Sequence, residues 1–121
     1  MRVFVYFNVR KNLFSIKALE GANKGRVIAH AINVEVLNAT FVVGETGRLR
    51  VLATGHKNVH AGVRGRLGYW GADTQRITKM ARKVTYNPKR DLGFIYAVSR
   101  LPAPLKAERV VLSPTSVYAE I

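Results

Sequence analysis

Apolar and polar residues alternate along this chain with a period near two, which predicts strands rather than helices. At the start, Val3, Val5 and Phe7 fall on one side of an extended segment and Arg2, Phe4 and Tyr6 on the other. A strand over 3–7 is therefore apolar on both faces, as a central strand or a barrel wall requires. Asn8 to Asn12 supplies a polar turn, and "LFSIKAL" then sets Phe14, Ile16 and Ala18 against Ser15 and Lys17, so the two segments read as a hairpin. "EGANKGR" places glycine and asparagine where a tight connection is needed, and "VIAHAINVEVL" resumes a β-branched, extended character. Asn38 is expected to end that strand, with "TFVV" beginning another.

One segment departs from this rhythm. "ETGRLRVLAT", Glu45 to Thr54, predicts a short helix with Leu49 and Leu52 on one side, Arg48 and Arg50 outward, and Gly55 as a left-handed C-cap. Gly47 argues against it, because an interior glycine costs a helix about 1 kcal/mol. Alternation returns over Asn58 to Trp70, where Val59, Ala61, Val63 and Leu67 are apolar and His60, Arg64 and Arg66 polar. Glycines at 62, 65 and 68 predict a curved strand whose backbone passes close to a neighbour. Thr74 to Arg82 reads as an irregular loop or one helical turn, followed by strands in "KVTYNP" and "GFIYAV", a stiff connection in "LPAPL", and up to two strands in "RVVLSPTSVYAEI". The expected fold is mostly β, or α+β if the helix is counted: one domain over 1–121, forming a small antiparallel barrel or sandwich of about six to eight short strands.

Charge changes this picture most. Twenty Lys and Arg against seven Asp and Glu leave a net charge of +13. Between Arg48 and Arg90 there are eleven cations and a single acid, Asp73. Such an imbalance repels itself unless a polyanion neutralises it, and nucleic acid does so by releasing counterions. A membrane partner is not expected, since neither an amphipathic basic helix nor a lipid anchor is present. The absence of cysteine excludes disulfides, thiolate metal sites and a cysteine nucleophile, and fits a reducing cytoplasm. The apolar run from Val3 to Phe7 is too short for a signal-peptide core.

Candidate chemistry is sparse. His56 and His60 stand at i, i+4, but no carboxylate or thiol lies beside them, so no metal and no cofactor is expected. The seven acids are scattered singly, which gives no two-metal or glycosidase pair. His60 is a weak catalytic candidate, as a proton carrier in a metal-independent nuclease with Lys57, Arg64 or Arg66 holding phosphate. Placed among arginines on a solvated strand face, it is equally an ordinary polar side chain. The expected binding residues are Arg48, Arg50, Lys57, His60, Arg64, Arg66, Arg82, Lys83, Lys89 and Arg90, with Trp70 and Tyr86 as stacking partners, because basic grooves carrying aromatic rings suit nucleic acid. The alternative for each ring is a place in the core or a turn.

Three stretches, "VFVYFNVRKNLFSIKALEGANKGRVIAHA", "HKNVHAGVRG" and "ARKVTYNP", resemble a group of short basic proteins of tailed bacteriophages and prophages. The similarity runs from Val3 to about Leu112 and carries no established activity, so it implies a setting, the cytoplasm of an infected bacterium, and transfers no site residue. Three functions follow as expectations: non-catalytic binding of nucleic acid or a phosphorylated nucleotide ligand; inhibition of, or docking onto, an acidic host protein; and a small nuclease using His60. The expected state is a monomer or a homodimer.

Overall fold

The computed structural model describes residues 1–71 and 79–121. Within them the order is β1 (Arg2–Asn8), β2 (Leu13–Ala18), β3 (Val27–Ala31), β4 (Val34–Val43), α1 (Glu45–Thr54), β5 (Ala61–Trp70), β6 (Arg82–Thr85), β7 (Ile95–Tyr96), β8 (Lys106–Leu112) and β9 (Val117–Glu120). The protein is mostly β with one short helix. Its strands form a single antiparallel sheet in the order β3-β2-β1-β5-β4-β8-β9-β6-β7. The barrel or sandwich expectation is corrected here, because the sheet is open and its ends, β3 and β7, do not pair. The far edge is covered by the chain that follows it: β7 is two residues long, Ile95 bridges to Pro102, the Tyr96 N–H donates to the Leu101 carbonyl (2.9 Å) and the Ala103 N–H to the Phe94 carbonyl (3.0 Å).

Alternation sorts the side chains onto two faces. Val3, Val5, Ile16, Val34, Val36, Val63, Val84, Val110 and Ala119 are at most 2% exposed and form one inner cluster. Eight of the nine strands feed that cluster directly, and Tyr96 of β7 packs against it, so the sheet curls around one core. Phe7 meets Phe14 edge-on at 5.4 Å, and Phe41 meets Phe94 at 4.7 Å.

The extended run read as 27–37 is broken at Ile32 and Asn33, giving β3 and β4. Asn38 does not end β4, which runs on to Val43. Instead Asn38 takes a left-handed φ of 47° and the pairing with β5 shifts register between Leu37 and Thr40. Asparagine tolerates this conformation, and the extra residue is absorbed as a bulge. Gly65 lies across from it: a Cβ there would stand 2.6 Å from the Leu37 carbonyl oxygen.

Helix α1 occupies the predicted residues and ends on Gly55 at φ 75°, whose N–H donates to the Val51 carbonyl. Its buried face differs from the predicted one, although Arg50 is exposed as expected. Arg48 and Val51 are buried while Leu49 and Leu52 are about half exposed. The cause is Gly47, where a Cβ would meet the Cβ of His60 at 2.4 Å, so the helix docks through its glycine. The segment read as a loop or helical turn over Thr74 to Arg82 lies largely outside the described residues.

On the outer face, Arg109 donates to Glu35 and to Glu120 (3.0 Å), and the Glu35 carboxylate also accepts the Tyr69 N–H (3.1 Å). Burial opposes charge on Arg109, but its bonds to the two carboxylates hold its pKa above the ordinary value.

Two stability outcomes follow. Arg109→Met strands the buried Glu35 carboxylate and lowers unfolding free energy by about 3 kcal/mol in urea titrations, whereas adding Glu35→Gln restores part of the loss. Gly47→Ala would stabilise a free helix by about 1 kcal/mol; in this protein it destabilises by about 1–3 kcal/mol, because the methyl overpacks against His60.

Candidate polyanion-binding surface

The outer face is built by cross-strand register. Lys17, Phe4, Arg64, Thr40 and Lys106 stand directly opposite one another on β2, β1, β5, β4 and β8, forming one row across five strands. At about 4.8 Å between strands, the row is about 19 Å long. In the adjacent row Arg2 opposes Arg66, followed by Leu37 and then Arg109. Arg2, Arg64, Arg66 and Lys106 are exposed and surround one cleft of about 400 Å³ together with Asn38 and Thr40. Its lining contains no carboxylate, and none of the four cations has an ion pair among the described residues. Glu20 is engaged with the backbone N–H of Arg2 (2.7 Å). The outer face is thus divided: Arg109 is neutralised by Glu35 and Glu120, and the β1/β5 side stays cationic.

Arg64 and Thr40 are shared with the neighbouring cavity, about 730 Å³, which Arg90, Arg100, Leu92 and Phe94 also line. Asp91 in that cavity accepts the Asn87 N–H at 2.9 Å. At the other end of β1, Tyr6, Arg10 and Lys57 line a third cleft of about 550 Å³.

The expected binding residues are therefore brought together only in part. Arg64 and Arg66 share the central cleft, Arg90 joins Arg64 in the larger cavity, and Lys57 lies at the third cleft. Arg48 is buried and paired with Glu45 (2.7 Å), a bond that also holds the Glu45 carboxyl below its usual pKa. Arg50 is exposed on α1. Arg82 lies 5.2 Å from the centre of the Tyr96 ring, Lys83 pairs with Tyr118, and Lys89 is exposed in the turn after Pro88. Trp70 is half exposed at the end of β5, paired with Val34 and four residues beyond Arg66. Sequence reasoning missed Arg2, Lys17, Lys106 and Arg100, because they lie outside the charge-rich middle. Period-two alternation does place Arg2, Phe4 and Tyr6 on one face, but which strand lies beside them is a long-range pairing.

His60 and Tyr86 form a separate unit. The Asn58 side-chain N–H donates to the Gly47 carbonyl (3.1 Å), which turns its Oδ1 toward His60 Nδ1 (3.0 Å). In the neutral ring Nδ1 then carries the proton and Nε2 accepts from the Tyr86 hydroxyl at 2.7 Å. Burial, the largest influence, keeps the Tyr86 phenol above its usual pKa, so it remains a donor at neutral pH. The Tyr86 ring continues onto Phe94 (5.4 Å), which ties the α1 end of the molecule to the aromatic part of the core. Among the described residues no group of three or more His, Cys, Asp or Glu could hold a metal, and no helix is long and apolar enough to cross a membrane.

A small, strongly basic chain on one open curled sheet, with a cation-lined cleft on its outer face, is the class these features define. The chain belongs to the family described as Mycobacterium phage L5 gene 82 protein, whose family model matches residues 1–120. It is 37% identical over 125 residues to the "Gene 82 protein" of Mycobacterium phage L5, covering 98% of this chain and 95% of that one. The resemblance to bacteriophage proteins is thereby borne out. No solved structure matches the chain.

Tyr86→Phe is expected to lower stability by about 1 kcal/mol, the worth of one hydrogen bond, and to leave oligonucleotide binding at low salt unchanged. A loss of binding in the folded variant would bring His60 and Tyr86 into the functional surface.

Proposed function

We propose that the protein binds nucleic acid, without catalysis, through the cation-lined cleft of its outer face, acting in the cytoplasm of the infected bacterium. The observation that carries this reading is the convergence of Arg2, Arg64, Arg66 and Lys106 on one cleft with no carboxylate in its lining. Arg2 and Arg66 stand directly opposite in the β1/β5 ladder. Like charges in that position disfavour folding by a few tenths of a kcal/mol or more. An arrangement that costs stability is supported by a ligand that benefits from it, and phosphates are the anions that use arginine best, through paired N–H donors. The neighbouring cavity extends the cationic track through Arg64 to Arg90 and Arg100. A row across five strands suits a linear polyanion better than a single nucleotide. The reading gives His60 a structural role.

Fluorescence anisotropy with a labelled oligonucleotide tests it. Four phosphate contacts on a single strand give a slope of about −3 for log affinity against log salt, so affinity falls about fiftyfold between about 50 and 200 mM salt. Arg64→Ala and Arg66→Thr each reduce that slope by about 0.7, while Arg50→Ala and Arg82→Ala, which remove the same charge elsewhere, leave it nearly unchanged. Arg66→Thr also raises the denaturation midpoint, since it relieves the opposition to Arg2. Equal losses from all four substitutions would mean that net charge alone attracts the oligonucleotide and that no site exists.

A further inference from the structure

The cationic cleft does not explain the two aromatic rings beside it. Phe4 and Tyr6 lie on the outer face of β1, half-buried, with ring centroids 5.8 Å apart and planes inclined by only 30°. Phe4 stands directly between Lys17 on β2 and Arg64 on β5. Its ring takes the space that a side chain at residue 62 would fill: a Cβ on Gly62 would come within 2.7 Å of it. Arg2, Arg64 and Arg66 on the same face are exposed, so this face opens to solvent. Tyr6 in turn borders the cleft that Arg10 and Lys57 line. The order along β1 is therefore a cationic cleft, two stacked rings, and a second group of cations, within about 20 Å.

From this order we infer that Phe4 and Tyr6 form a stacking platform for nucleobases, and that the nucleic acid bound is single-stranded. The inference rests on the binding reading above and adds to it the substrate class. Bases in a duplex are stacked on one another and offer only their edges, so two rings lying on an open sheet face have nothing to stack with. Bases of a single strand present free π-faces, and aromatic side chains on a sheet take them up while flanking cations hold the phosphates. Arg2, Arg64, Arg66 and Lys106 would hold the backbone on one side of the rings, with Arg10 and Lys57 holding it on the other. Because every base has a π-face, recognition is tolerant of sequence.

The test compares three probes of about 12 nucleotides: a single strand, a duplex, and a strand with the same phosphates but abasic sites. They are measured against the full chain and its Phe4→Leu and Tyr6→Leu variants at low salt. The single strand is expected to bind at least tenfold more tightly than the abasic strand. Each leucine substitution is expected to weaken single-strand binding by about tenfold, with an unchanged salt slope and unchanged duplex affinity. If the single strand and the abasic strand bind alike and the leucine variants match the parent, the platform is overturned while the cationic cleft stands. If none of the three probes binds at low salt, both readings fail. Circular dichroism checks folding; should Phe4→Leu not fold, Tyr6→Leu at the open end of the strand and the abasic comparison decide the matter without it.

Discussion

The antiparallel pairing of β1 with β5 is the constraint on which the candidate binding surface depends. It sets residues 2–5 against 63–66, segments separated by most of the first half of the chain, and so places Arg2 against Arg66 and Phe4 against Arg64. β5 also pairs with β4 on its other side, so it is an interior strand that joins β1 to the centre of the sheet. Its glycines permit this crowding at three points. Gly62 admits the Phe4 ring, Gly65 admits the bulge of β4 at Leu37 and Asn38, and Gly68 admits the Glu35 carboxylate. A side chain at 62 or 65 would push a neighbouring strand or ring away from its place, and one at 68 would displace the Glu35 carboxylate. The glycine-rich character of this strand is thus a packing requirement.

The same pairing divides the charges of the outer face. Where β4, β8 and β9 meet, Arg109 lies between Glu35 and Glu120, and positive charge is cancelled at a well-connected ion cluster. Where β1 and β5 meet, four cations share a cleft without a counter-charge among the described residues. Seven acids cannot neutralise twenty cations. Three of the acids are committed to structural pairs with arginine, Glu35 and Glu120 to Arg109 and Glu45 to Arg48, and Glu20 to the backbone N–H of Arg2, while the lining of the cleft itself holds four cations and no carboxylate. Clustered cations of this kind raise association rates with polyanions and make binding sensitive to salt.

Much of the fold is legible locally. Period-two alternation locates the strands, and Gly55 marks the helix end because glycine adopts the left-handed conformation of a C-cap without steric cost. The helix face is misread because Leu49 and Leu52 look like core residues while Gly47, which offers no side chain, makes the closest approach. Asn38 is misread as a strand end because a bulge and a terminus share the same left-handed signature. Sheet closure is illegible, since neither strand order nor the shortness of β7 is written in any local window. For the candidate site, the alternation in "RVFVYF" and "GVRGRLG" gives the outward residues of each strand correctly, and the charge count finds Arg64 and Arg66. The partners Arg2, Lys17 and Lys106 come from outside the basic middle, and only the ladder brings them together. Arg48 and Arg82 count toward the sequence charge yet are committed elsewhere, to Glu45 and to the Tyr96 ring.

The most direct test of the central claim is a map of backbone amide chemical shifts as a single-stranded oligonucleotide is titrated into the isotope-labelled protein at low salt. The account predicts that the largest changes run along residues 2–6 of β1 and 64–66 of β5 and reach Lys106 on β8, with the Arg82, Tyr96 and α1 regions quiet. Changes centred on those latter regions, or spread evenly over every cationic residue, would contradict it.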